Sequence, residues 1–86
     1  MHYSTSKKFA KQFSRLSRVL QTKALIRFEL FINDPYASIL NNHLLKGEWR
    51  ECRSINITAD IRAIYQILEE DITHFVAIGS HSELYE

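Results

Sequence analysis

Apolar residues recur every three or four positions from Phe9 onward. Phe9, Phe13, Leu16, Leu20, Ala24, Phe28 and Phe31 form one continuous stripe, the period of an α-helix with one buried face. The stripe predicts helix to about Asn33. One straight helix of that length would run about 38 Å, long for a small domain, so the pattern predicts a helical hairpin bent somewhere between Ser17 and Thr22. Ahead of the stripe, His2 to Ser6 alternates weakly, as a short strand does, and Ser4, Thr5 and Ser6 are each able to cap the helix. Beyond it, Pro35 disfavours helical geometry at Asp34, and Asn33 suits a helix end.

After a loop to about Asn42 the period changes. His43 to Leu45 is a short extended piece and Lys46-Gly47 a turn. "WRECRSINI", "IRAIYQIL" and "ITHFVAIGS" then read as three strands, separated by a break near Thr58-Ala59 and the acidic turn Glu69 to Asp71. The order is strand, two helices, meander: an α+β sandwich with an N-terminal strand and a helical hairpin packed on an antiparallel β-sheet. Strict alternation puts Phe75, Ala77, Gly79 and His81 on one face of the last strand and Ile72, His74, Val76 and Ile78 on the other. By the same rule Arg62 shares a face with Ile64 and Gln66. A guanidinium on a half-buried strand costs free energy unless it has a partner or a ligand.

Composition adds bounds. The 86 residues are 45% hydrophobic and 24% charged, with one Pro and two Gly, which predicts a single globular domain over residues 1–86 that buries about 60–65% of its unfolded surface. The lone Cys52 cannot form an internal disulfide, and no leader or membrane-length apolar run is evident. A cytoplasmic protein is expected. The net charge of +1 hides an asymmetry: through Arg27 there are seven Lys and Arg and no acid, and after it four against all ten acids. Lys8, Lys11, Arg15 and Arg18 are spaced to form a basic ridge beside the apolar stripe. Such a ridge suits phosphates, although a solvated helix face accounts for the spacing equally well.

The later strands carry a sparse polar set: His43, Arg53, Asn56, Asp60, Arg62, His74, His81 and Tyr85. No phosphate-binding loop, dinucleotide fingerprint, Cys pair or His-Glu-x-x-His is present, so neither a nucleotide cofactor nor a metal is expected. His74 lies among aliphatic neighbours and reads as structural, and Cys52 as a small core hydrophobe. Imidazoles, a carboxylate, a guanidinium and a phenol together are the parts of a metal-free phosphodiesterase. The guanidinium stabilises phosphoryl charge, two titratable groups move protons, and the phenol stacks on a base or binds phosphate.

"NHLLKGEWRECRSINITADIRAIYQIL" followed by "GSHSELYE" resembles the RelE/ParE superfamily of bacterial type II toxins, and within it the YafQ-like ribosome-dependent mRNA interferases. The resemblance is most specific from Asn42 to Glu86 and agrees in layout before that. It implies a RelE-like fold and a toxin that cuts mRNA in the A site of the 70S ribosome by metal-free 2′-OH attack, neutralised by a cognate antitoxin. Carried over by position, His81 would be the general acid, Asp60 or His43 the base, Arg62 the transition-state clamp and Tyr85 a stacking or phosphate-binding group. Arg62 matches the RelE and YoeB branches rather than YafQ. Lys8, Lys11, Arg15, Arg18, Lys46 and Arg53 would meet RNA or ribosome; Arg53 could also pair with Glu51 or Asp60 to orient the site, while Trp49 reads as packing. Asn56 stands where the YafQ type has a His, and Ala77 where it has an Arg. Two other readings stay open: a ParE-like DNA gyrase inhibitor, and a catalytically weakened toxin-fold interaction protein.

Overall fold

The computed structural model describes residues 2–85. Chain order is β1 (His2–Thr5), α1 (Lys7–Arg15), α2 (Arg18–Asn33), β2 (His43–Leu44), β3 (Arg53–Asn56), β4 (Ile61–Glu69), β5 (Ile72–Ser80) and α3 (His81–Tyr85), with 3-10 turns at Ser38–Leu40 and Gly47–Trp49. The strands form one sheet in the order β1-β5-β4-β3-β2. It is mixed rather than antiparallel throughout: β1 runs parallel to β5, and the other neighbours are antiparallel. Parallel neighbours need a long crossover, and everything from α1 to β4 lies between these two.

Serine chemistry sets the helical hairpin. Ser6 Oγ accepts from the Phe9 N–H (2.9 Å) to start α1, and Ser17 Oγ accepts from the Leu20 N–H (3.2 Å) to start α2. Each cap satisfies a donor that the first helical turn leaves unpaired. The bend is therefore a second helix start, with Leu16 extended (φ −69°, ψ 150°), and it needs neither Gly nor Pro. α2 ends at Asn33, ahead of Pro35.

The segment "WRECRSINI" is not one strand. Trp49 closes a 3-10 turn after Gly47 (φ 67°), the Cys52 N–H donates to the Trp49 carbonyl (2.9 Å), and Glu51 is left-handed (φ 71°). Only Arg53–Asn56 joins the sheet. Two departures from ladder geometry in nine residues use up what alternation alone predicted as strand.

The helices pack on one sheet face, where Phe75 meets five aromatic rings: Phe28 at 4.9 Å between centroids, Phe9 and Phe31 at 5.7 Å, Tyr65 at 5.8 Å and Tyr3 at 6.4 Å. A second, smaller cluster of Cys52, Ile64, Ala77 and Leu84 occupies the other face, with Trp49, Val76 and Tyr85 packed against it. Alternation fails along β5. Ile64 pairs with Ala77 but Tyr65 pairs with Phe75, so Val76 is the extra residue of a β-bulge. Phe75 and Ile78 consequently face the helices, and Ala77 faces the opposite way. The Ser6 hydroxyl donates to the Val76 carbonyl (2.9 Å), and the Gln12 carboxamide oxygen accepts from the Ile78 N–H (3.0 Å) where β1 no longer covers the edge of β5.

The closing "GSHSELYE" leaves the strand after Ser80, as expected, but His81 is not a strand residue. Ser80 and Glu83 form a reciprocal capping box: the Ser80 N–H donates to Glu83 Oε1 (2.8 Å), and the Glu83 N–H donates to Ser80 Oγ (3.2 Å). His81 is thus the first residue of α3 and Tyr85 its last described. Gly79 takes no left-handed bend. A Cβ there would lie 3.3 Å from Glu83 Oε1, so its bare backbone admits the capping carboxylate. The hydrogen bond from the Ser80 backbone, and then that with its hydroxyl, hold the Glu83 carboxyl below its ordinary value of 4.5.

Two outcomes follow. Phe75→Ala removes a ring 4% exposed and should cost about 3–5 kcal/mol in urea unfolding; a loss under about 1 kcal/mol would show that the cluster is not the core. Glu83 contributes stability that is present above 4.5 and lost as pH falls through its depressed native pKa. The Ser80 amide resonance should therefore titrate below 4.5 in NMR and stop doing so in Glu83→Gln. A midpoint at or above 4.5 would contradict the capping box.

Candidate active site

On the second face, a cleft of about 470 Å³ is lined by Asn41, His43, Leu45, Lys46, Arg62, His81 and Tyr85. Four residues expected from the sequence to carry chemistry meet here: His43 from β2, Arg62 from β4, and His81 and Tyr85 from α3. Lys46 joins them, and among the described lining residues the two with a permanent charge, Lys46 and Arg62, are cationic. Asp60 is not in the lining. It is exposed in the β3–β4 turn, where its backbone carbonyl accepts from the His81 N–H (3.1 Å).

The turn that holds Arg62 is built on Thr58, whose hydroxyl accepts from the N–H groups of Asp60 (3.3 Å) and Ile61 (3.0 Å). One terminal nitrogen of Arg62 donates back to the carbonyls of Thr58 (3.2 Å) and Ala59 (2.5 Å). Of the five N–H donors of a guanidinium, the remaining three have no partner among the described residues. Arg62 lies across the ladders from Asn56 and Gly79, and the Asn56 Oδ1 beside it is shielded and unpartnered.

His43 is oriented by Asn41. Its Nδ1 is 2.8 Å from the Asn41 carbonyl oxygen, which only accepts, so Nδ1 carries the proton and Nε2 presents a lone pair in the neutral ring. Asn41 is left-handed (φ 45°), a conformation Asn tolerates. His81 and Tyr85, four apart on α3, stand on one helix face with ring centroids 4.6 Å apart and planes tilted by 50°. A Ser-x-x-Glu spacing around His81 was the sequence signal that these two residues are helical rather than extended.

The other basic residues are dispersed. Arg53 takes neither Glu51 nor Asp60. It faces the helices beside Tyr65, donating from Nε to Asn42 Oδ1 (2.8 Å), while Asn42 donates to the Tyr65 hydroxyl (2.7 Å) and the guanidinium lies 5.5 Å from the Tyr36 ring centroid. Lys11 and Arg15 are exposed on α1. Arg18 opens α2 beyond the bend, so the ridge is carried by two helices and not one. The Lys8 ammonium sits 5.6 Å from the centroid of Trp49. His74 is structural, with Nδ1 2.7 Å from Ser4 Oγ. Burial, then the Glu51 carboxylate, pushes the Cys52 thiol up, which disfavours the thiolate. Among the described residues no group of three His, Cys, Asp or Glu is placed to hold a metal, and no helix is long and apolar enough to cross a membrane. A separate groove of about 320 Å³ between β1, α1 and α2 is walled by Tyr3, Phe9, Phe28 and Ile32, with Glu29 the one charged group among the described lining residues.

The architecture is shared with known toxins. YafQ from E. coli strain BL21(DE3) superposes with a TM-score of 0.81 at 21% identity, over 98% of this chain and 97% of that one. The E. coli DinJ–YafQ toxin–antitoxin complex gives 0.80 at 20% identity, over 98% and 96%. A metal-bound toxin from Helicobacter pylori is 31% identical over 99% of both chains, with a TM-score of 0.73. No curated protein matches the sequence significantly. The family model of YafQ, the bacterial toxin of a type II toxin–antitoxin system, matches residues 1–86 in full. The chain belongs to the YafQ family of type II toxins.

Proposed function

We propose that this toxin is an endoribonuclease that cuts mRNA in the ribosomal A site without a metal. The observation that carries the reading is the cleft itself: two imidazoles, a guanidinium, an ammonium and a phenol around one hollow, with no carboxylate side chain among the described lining residues. Such a lining favours an anionic ligand such as a phosphodiester and disfavours a cationic one.

In the proposed reaction His43 Nε2 takes the proton of a ribose 2′-OH, whose oxygen attacks the adjacent phosphorus. Arg62, assisted by Lys46, holds the non-bridging oxygens as charge develops on them. His81 donates a proton to the departing 5′-oxygen. A bond from the 2′-oxygen to phosphorus forms and the bond from phosphorus to the 5′-oxygen breaks, leaving a 2′,3′-cyclic phosphate and a 5′-hydroxyl. Tyr85 stacks on a base. The orientation of His43 supports it as the base in preference to Asp60, whose part is to hold the turn beneath Arg62 and the start of α3.

Lys8, Lys11, Arg15 and Arg18 are the groups we assign to ribosomal phosphates, which makes binding fall steeply with salt. The cytosol is where such a reaction takes place, and an antitoxin, as DinJ is for E. coli YafQ, is the partner that restrains it.

Primer extension on mRNA in a purified translation system tests the reading. Cuts at A-site codons are expected from the wild-type chain, falling at least about 100-fold in His81→Ala and Arg62→Ala and largely retained in Asp60→Asn. A 2′-deoxynucleotide at the scissile position should block cleavage altogether. Arg62→Ala that still cuts would remove Arg62 as the clamp. Intact mRNA with the wild-type chain would overturn the nuclease and leave a toxin-fold binding protein, the outcome that Asn56 and Ala77 would favour.

A further inference from the structure

We infer that Trp49 is a positioning residue for the cleft: its indole N–H anchors the far end of α3 and thereby sets where His81 and Tyr85 stand. The inference rests on the cleft being the cleaving site. α3 spans five residues, far too few to hold a helix by themselves. Its first turn is pinned by the Ser80–Glu83 box. Its last turn ends in carbonyls with no helical partner, and one of them, on Leu84, accepts from Trp49 Nε1 at 3.0 Å.

The indole is itself fixed. Gly47 turns the chain ahead of it, the Trp49 carbonyl accepts from Cys52, and the ring packs against the second cluster that holds Leu84 and Tyr85. Lys8 of α1 lies over the ring, a favourable cation–π placement. Indole nitrogen only donates, so loss of this bond strands a donor on the turn and an acceptor on the helix together. Tyr85 follows Leu84 directly and rests 4.6 Å from His81. Fraying of the last turn separates the stacking group from the general acid, and displacements of about 1 Å at a reacting centre cost up to about 100-fold.

Trp49→Phe keeps an aromatic face for Lys8 and for the second cluster and deletes only the donor side of the ring. A synthetic chain with 3-benzothienylalanine at position 49 keeps the bicycle and replaces N–H by sulfur, in case the smaller ring unsettles the fold. In both, kcat for mRNA cleavage should fall about tenfold or more with KM for the programmed ribosome and the thermal midpoint unchanged. The contact between the His81 and Tyr85 rings should weaken in NMR. Because Trp49 is the single tryptophan, its one indole N–H resonance should be protected from exchange in the wild-type chain. A folded variant with unchanged kcat and an intact ring contact overturns the inference, as does an indole proton exchanging at the solvent rate. Loss of the ring contact in a chain whose wild type cuts no mRNA would sustain the positioning role and overturn the nuclease reading alone.

Discussion

The bulge at Val76 is the constraint on which the two-sided use of this sheet depends. A regular β5 would send Phe75 and Ala77 to the same face and Val76 and Ile78 to the other. With one residue looped out, Phe75 enters the aromatic cluster under the helices, and Ala77 turns to the opposite face, where Leu84 docks. The Ser6 hydroxyl on the Val76 carbonyl links this irregularity to the residue that caps α1. The helical layer and the face that carries the polar cleft are thereby set from one point in the sheet.

That arrangement explains which parts of the molecule were legible in the sequence. The end of α2 was, because Asn33 and Pro35 act on their own neighbours, whereas the bend was bracketed only between Ser17 and Thr22. The open cleft was reached through His43, Arg62, His81 and Tyr85, whose residue types are unexpected for structural positions and whose spacing resembles a known family. The parity of β5 was not, because a bulge is a choice of register between strands and leaves no mark on the alternation of either. The parallel pairing of β1 is another long-range choice, made over the full length of the chain. Arg53 is instructive in the same way: its partners, Asn42 and Tyr36, lie on a loop whose path no local pattern specified.

The end of the chain was legible but misread. Ser80-x-x-Glu83 is a local helix signal as clear as Ser6 or Ser17, yet the apolar alternation before it favoured extending the strand. The two readings differ in consequence. On a strand, His81 and Tyr85 would point to the same side about 13 Å apart at ~3.3 Å per residue; on a helix they are one turn apart and their rings touch.

The departures at Asn56 and Ala77 acquire a physical sense from the same packing. Ala77 is fully buried against Leu84, so an arginine there would have to lift α3 and with it His81 and Tyr85. A guanidinium at Arg62 avoids that conflict, because its neighbour across the ladder is Gly79, which brings no side chain to compete for the space. The glycine thus serves two ends, admitting the Glu83 carboxylate that starts α3 and leaving room beside it for the arginine. On β4, one strand over from Ala77, the second face holds both a cation and a docked helix.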